Sequence, residues 1–272
     1  MSSYKSIMSK KDRLEMVARH VLIREGLSGF TMERLAEAAE VSRPTAYQYF
    51  GSREGALAAT AAGTLVICTK LFEAAQRFEG EPRERAMALM MGFEILARFE
   101  PEHLETLEFL GMPWIKRALS EPARDMLDKL VTSFGTCLTG LMQQSISQGQ
   151  LTLPTGYTLE AAVFHTLNFG HGIFFAIARR RTSFDLYRTV HPWEVSRRGL
   201  HLYWDGIGWS PQAGNSNMEV LHERILRQCF PDYWLRIKTD ELKRGLETPL
   251  PEPILTPIPE PKRRGRAAFK QT

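Results

Sequence analysis

Residues 30–57 read Phe-Thr-Met-Glu-Arg-Leu-Ala-Glu-Ala-Ala-Glu-Val-Ser-Arg-Pro-Thr-Ala-Tyr-Gln-Tyr-Phe-Gly-Ser-Arg-Glu-Gly-Ala-Leu, and their caps decide the fold of the N-terminal part of the chain. Each helix must satisfy the N–H groups of its first turn, and Ser or Thr does this best from the capping position. Thr31 is placed to cap a helix from Met32, with Glu33 in the dipole-favoured first turn and Phe30 and Leu35 at the two positions of a hydrophobic staple. Ser42 caps a second helix, with Pro44 in the first turn, where a missing N–H costs little, and Ser52 caps a third. Only Glu40 and Val41 separate the first two helices, so the chain must reverse sharply while Leu35, Ala36, Ala39, Val41, Ala46 and Phe50 turn inward. The second helix then presents Arg43, Thr45, Tyr47, Gln48 and Tyr49, a set of donors and aromatic hydroxyls without a carboxylate, suited to phosphates and base edges.

These residues resemble the TetR family of bacterial regulators. The match runs through Thr31, Leu35, Ala36, Ala39, Val41, Ser42, Thr45, Tyr47, Tyr49, Phe50, Ser52, Glu54 and Leu57 at fixed spacing. Two positions depart from the pattern: Glu40 stands where the family usually has Gly, and Arg53 replaces Lys. A non-Gly residue at positive φ costs about 1 kcal/mol, so the turn is expected to be slightly strained. The resemblance implies DNA binding by Thr31, Ser42, Arg43, Pro44, Thr45, Tyr47, Gln48, Tyr49 and Arg53. Thr31, Tyr47, Tyr49 and Arg53 are expected on phosphates, and Thr45 and Gln48 on bases. For Arg43 two readings stand, a guanine-edge contact and a solvated side chain.

Outward from this segment, helical spacing at Leu14, Val17, Ala18, Val21 and Leu22 predicts a helix over 9–24, ended by Gly26. From Ser52 the periodic pattern runs to about Phe78, one long helix leaving the head. Further helices are predicted at 82–98, 113–119, 121–148, 158–181 and 192–207, with breaks at Pro101, Pro113, Pro122, Pro154 and Pro192, and amphipathic stretches at 218–229 and 232–244. No strand alternation appears. The expected fold class is all-α: a flexible arm over 1–9, a three-helix helix-turn-helix head over 10–70, a helical ligand-binding and dimerisation domain over 71–248, and a disordered Pro-rich basic tail over 249–272. By the resemblance, the helices at 158–181 and 192–207 pair across a two-fold axis, with Gly170 and Gly172 permitting close approach. A homodimer also suits DNA geometry, since heads one turn apart match a palindromic operator.

The resemblance further implies a small-molecule effector pocket. Phe93, Trp114, Phe134, Phe164 and Phe169 are available as walls and His165 and Asn168, with His171, as polar anchors, each equally able to serve as ordinary core. The effector is expected to be largely apolar, and its identity stays open. Repression relieved by effector is the family default; a constitutive or activating regulator without effector is the alternative.

Composition excludes other classes. No Gly-rich phosphate loop, His-Glu-x2-His motif or nucleophile elbow occurs, so no enzyme, cofactor or metal is expected. Cys68, Cys137 and Cys229 lack metal or redox spacing and read as reduced core residues. The first twelve residues hold no apolar run, so a cytoplasmic protein is expected. Val163–Ala178 is too short and too polar to span a membrane, a span needing about 20 apolar residues, and no membrane partner is expected.

Residues 249–261 contain six prolines, and residues 262–270 carry five positive charges and no acid. With a net charge of +4 for the whole chain, residues 1–261 sum to −1. Arg264-Gly265-Arg266 resembles the core of an AT-hook, without a directly flanking proline. Two readings stand for Arg263, Arg264 and Arg266: minor-groove recognition and nonspecific attraction to DNA.

Overall fold

The computed structural model describes residues 9–179, 192–212 and 217–246. Twelve α-helices and no strand are found among them. The head comprises α1 (Lys10–Gly29), α2 (Met32–Ala38) and α3 (Arg43–Phe50). α1 is interrupted at Gly26, whose φ of 66° only glycine adopts freely. All three predicted caps form: Thr31 Oγ1 accepts from Arg34 N at 3.2 Å, Ser42 Oγ from Thr45 N at 3.2 Å, and Ser52 Oγ from Gly55 N at 3.0 Å. Phe30 and Leu35 of the staple are both fully buried, in a core with Ala18, Leu22, Ala46 and Leu57.

α4 (Arg53–Gln76) is the spine of the molecule. Its 24 residues extend roughly 36 Å at 1.5 Å per residue. Ala56 and Leu57 belong to the head core, Ala61 and Leu65 to a small cluster with Leu110, Ile115 and Leu127, and Cys68, Leu71, Phe72 and Ala75 to the main core of the body. This triple packing explains why α4 is apolar on several faces; over one 18-residue window it is apolar enough for a membrane span, with half that window buried.

The body is built from α5 (Pro82–Phe99), α6 (Pro101–Gly111), α7 (Pro113–Ala118), α8 (Glu121–Ser147), α9 (Leu159–Arg179) and α10 (Pro192–Gly206), extended by α11 (Met218–Cys229) and α12 (Pro231–Leu246). α5 is its central helix, buried from Ala86 to Met91 and again at Ile95, Leu96 and Ala97. α6 was not expected from sequence, where Pro101 read as a break. Pro101 is the first residue of α6, a position that needs no N–H.

Buried polar groups lock α10 onto α5. Arg83, 4% exposed, donates to Asp205 Oδ1 at 2.6 Å, to the His201 carbonyl at 3.1 Å and to the Trp209 carbonyl. Arg197 Nη1 reaches Glu94 Oε1 at 2.7 Å. Beside them His201 and His222 face each other Nε2 to Nε2 at 3.2 Å, tying α11 to α10. Burial, with Arg83 adding, depresses His201 to about 4, and burial with Arg197 depresses His222 to about 2. The fully buried Trp204 and Trp209 donate to Thr166 Oγ1 at 3.1 Å and Ser145 Oγ at 2.8 Å.

Gly170 serves the interior of the chain. A Cβ there would lie 1.9 Å from Met90 Cε, so it lets α9 approach α5, whereas Gly172 faces open space.

Candidate nucleic-acid interface and cavity

Seven residues of α3 and its cap fall where helical geometry puts them. Ala46 is fully buried and Phe50 half-buried against the head core. At 100° per residue, Pro44, Thr45 and Gln48 lie opposite that face and Tyr47 and Tyr49 flank it. Tyr47 is 44% and Tyr49 41% exposed, and Gln48 and Pro44 are exposed. Thr45 is half-buried, its hydroxyl bonded to Ser42 Oγ at 2.8 Å. Thr31, also half-buried, uses its hydroxyl as the cap. The Lys10 ammonium sits 5.4 Å from the centre of the Tyr49 ring and adds a cation to this edge.

Two arginines are placed differently from the sequence expectation. Arg43 lies on the flank of α3 next to α2, where its guanidinium pairs with Glu33. The exposed face of α3 has no carboxylate of its own, but α2 supplies one. Arg53 turns inward: its Nε donates to the Phe30 carbonyl at 2.7 Å and its Nη2 to the Leu27 carbonyl at 2.5 Å. It pins the start of α4 to the α1–α2 junction instead of standing free for a phosphate. Neither partner could be read from sequence, because both pairings depend on helix crossing. Glu40 has a φ of 54°, the one positive value at a non-glycine position among the described residues, as the missing glycine implied.

The head meets the body through α1, α4 and α6. Phe109 of α6 packs against the head core, and Leu110 against Ala61 and Leu65 of α4. Thr64 Oγ1 and His103 Nδ1 lie 3.0 Å apart in the buried joint. Burial, together with nearby Arg19, pushes His103 down to about 3. Arg19, 6% exposed, is itself lowered by burial and supported by the carboxylates of Glu102, Glu15 and Glu100.

Behind this joint lies a cavity of about 660 Å³ between α4, α5, α6, α8 and α9. Cys68, Leu71 and Phe72 of α4, Phe93 and Leu96 of α5, Leu107 and Glu108 of α6, and Leu130 and Phe134 of α8 line it. Phe134 lies between Phe72 and Phe93, ring centroids 5.4 and 5.0 Å away. Asn168 and His171, both exposed, line it from α9. Asn168 Nδ2 donates to the Phe164 carbonyl at 2.8 Å, and burial lowers the pKa of His171. Burial also raises Cys68 to about 12, so it is a thiol wall.

Of the expected pocket residues, Phe93, Phe134 and Asn168 line this cavity. Phe164, His165 and Phe169 do not. Phe164 is 60% exposed, His165 is bonded to the Tyr157 hydroxyl and stacked on its ring, and Phe169 stacks on Tyr203. Residues three apart advance 300°, so His165 and His171 sit about 120° apart and cannot share one face. The Trp114 side chain lies outside the described residues, as do Arg263, Arg264 and Arg266. Sequence reading also missed the α4 and α6 walls, since an apolar residue facing a cavity and one facing core leave the same periodic signal. Among the described residues no cluster of three or more His, Cys, Asp or Glu could hold a metal ion.

Residues 16–60 match the family described as bacterial regulatory proteins, tetR family. No curated protein sequence matches the chain. The fold is similar to that of a tetR-family regulatory protein from Rhodococcus RHA1 (TM-score 0.58, 15% identity, 75% of this chain and 99% of that one). It is similar also to the ketosteroid transcriptional regulator KstR2 of Mycobacterium tuberculosis (0.57, 15%, 74% and 96%). A third is AibR, solved with isovaleryl coenzyme A and operator DNA (0.55, 16%, 71% and 97%).

Proposed function

We propose that the chain is a DNA-binding transcriptional regulator of the TetR family, a dimeric repressor released from a palindromic operator by a largely apolar small molecule. The single observation that carries this reading is that α4 lines the cavity with Cys68, Leu71 and Phe72 while its first turns form part of the head core. A ligand that displaces those walls must move or stiffen the helix on which the head rides. α6 offers a parallel route, with Leu107 and Glu108 on the cavity and Phe109 on the head. The cavity volume lies within the range of small-molecule sites, roughly 300–1,000 Å³. AibR, of similar fold, is solved in complex with isovaleryl coenzyme A and operator DNA, so the fold has room for a small molecule as well as for DNA.

Dimerisation is supported by the outer faces of α9 and α10. Phe164, Val195 and Leu202 are 60%, 50% and 62% exposed, and Gly172 opens the same side to close approach. A second copy of the chain covers this stripe, and the two heads then address half-sites about 34 Å apart. On the head, Thr31, Ser42, Pro44, Thr45, Tyr47, Gln48 and Tyr49 form the DNA surface. Arg43 joins them when a base or phosphate outcompetes Glu33, and Arg53 acts as its brace. The protein works on the nucleoid in the cytoplasm.

Thermal-shift screening with apolar compounds tests effector control. A ligand present at 100 times its Kd stabilises the native state by about 2.7 kcal/mol. A stabilising compound is expected to weaken operator binding at least tenfold. One that stabilises and leaves operator affinity unchanged overturns release by ligand, and a screen without any stabilising compound favours a constitutive regulator.

A further inference from the structure

The cavity opens to the surface between α8 and α9. Cys68, Leu89 and Leu96 among its walls are buried. At its mouth stand Val131 of α8, 61% exposed, and Asn168 and His171 of α9, both exposed. Gly135 of α8 leaves the mouth wide, since a Cβ there would meet nothing within 4 Å.

This mouth lies on the outer stripe of α9. At 100° per residue, Asn168 and His171 fall about 40° and about 20° to either side of Phe164, one and two turns along the helix. From Ala161 to Ala178 the helix carries no charged residue, although Phe164, His165, Asn168, His171 and Gly172 all face outward. A helix on the surface of a monomer puts charge on its outer face, so an outer face without any is one that another surface covers. A two-fold contact is isologous, and the cover is then the same stripe of a second copy.

Taking the α9–α10 face as the dimer face and the cavity as the effector site, we propose that the site is incomplete in one chain: the second copy closes the mouth at Val131, Asn168 and His171 over the bound molecule. The apolar body of the ligand lies against Phe72, Phe93 and Phe134, and its polar end lies at the mouth beside Asn168 and His171. In a monomer that end of the ligand stays in water, whereas in the dimer the seam buries it. The dimer therefore binds the ligand more tightly than the monomer does, and by reciprocity the ligand draws two copies together. Release from the operator then proceeds by a change of head pose within an intact dimer, not by dissociation.

The probe is N-phenylnaphthylamine, an uncharged apolar fluorophore, titrated into the full chain, its Gly135→Trp variant and its double variant Val195→Glu with Leu202→Glu. The two glutamates lie on α10, leave every wall of the cavity unchanged and are expected to give a monomer by light scattering. The tryptophan fills the mouth from a position with open space around it. The full chain is expected to bind the probe at least tenfold more tightly than either variant. In a dilution series of the unaltered chain, saturating probe should lower the dimer dissociation constant up to about a hundredfold, tenfold for each of two sites. Equal probe affinity in the full chain and the monomeric variant, or a dimer dissociation constant that the probe leaves unchanged or raises, overturns closure by the partner. Undiminished binding to Gly135→Trp overturns the mouth between α8 and α9. A full chain that takes up no probe overturns the cavity as an apolar site instead, and a glutamate variant that stays dimeric overturns the α9–α10 interface.

Discussion

Glu33 and Glu40 show how single residues set the behaviour of the head. The Glu33 carboxylate holds Arg43 against α2, so a base or phosphate that recruits Arg43 must break a surface ion pair worth up to about 1 kcal/mol. Glu33→Gln is therefore expected to raise affinity for duplex DNA up to about fivefold, most at low salt, in an anisotropy titration. Unchanged or weaker binding would mean that Arg43 stays off the DNA. Glu40 occupies the left-handed region at φ 54°. Glu40→Gly should stabilise the chain by about 1 kcal/mol in urea unfolding, and a loss of stability would contradict strain at this turn. The strain was legible through the family resemblance, because Glu40 stands where that family usually has Gly. The pairing of Arg43 and the inward turn of Arg53 were not, since each partner comes from a neighbouring helix whose crossing angle no local pattern encodes.

Among the helices, capping was the most readable feature and burial pattern the least. Thr31, Ser42 and Ser52 announced three helix starts; Ser9, not singled out in the sequence, caps α1 by accepting from Asp12 N at 3.1 Å. α6 escaped because Pro101 is equally a terminator and a first residue. The apolar length of α4 predicted a helix but not that it would be shared by three cores. The joints between helices carry a pH dependence. His103, His201 and His222 are held neutral in the fold, at about 3, 4 and 2, against about 6.5 in the unfolded chain. Their folded values lie below the unfolded one, so the stability they represent is complete above pH 6.5 and is lost as the pH falls toward 4 and below. The melting temperature should drop steadily between pH 7 and pH 4.5, and His103→Asn, which keeps a polar side chain at Thr64, should flatten part of that drop. A melting temperature that holds or rises on acidification would contradict neutral histidines at these joints.

In the proposed mechanism the whole molecule works as a relay. The cavity, the spine α4 and the head are one packed body, and the outer stripe of α9 and α10 is the face we propose for a second copy. Phe164→Glu together with Leu202→Glu places charge on two of the three exposed positions of that stripe without touching the core. The double variant should elute as a monomer at micromolar concentration and bind a palindromic duplex at least a hundredfold more weakly, because each head then binds alone. A double variant that remains dimeric would move the interface elsewhere. The claim on which everything else rests is that the head reads duplex DNA through α3. It is tested most directly by selecting duplexes from a random pool with the full chain and titrating the winner against the chain and its Tyr47→Phe variant. The account predicts a palindrome with half-sites about one helical turn apart, and a weakening of several-fold on removal of the Tyr47 hydroxyl, alike for selected and unrelated sequences. No enriched palindrome, or equal affinity for both proteins, would contradict it.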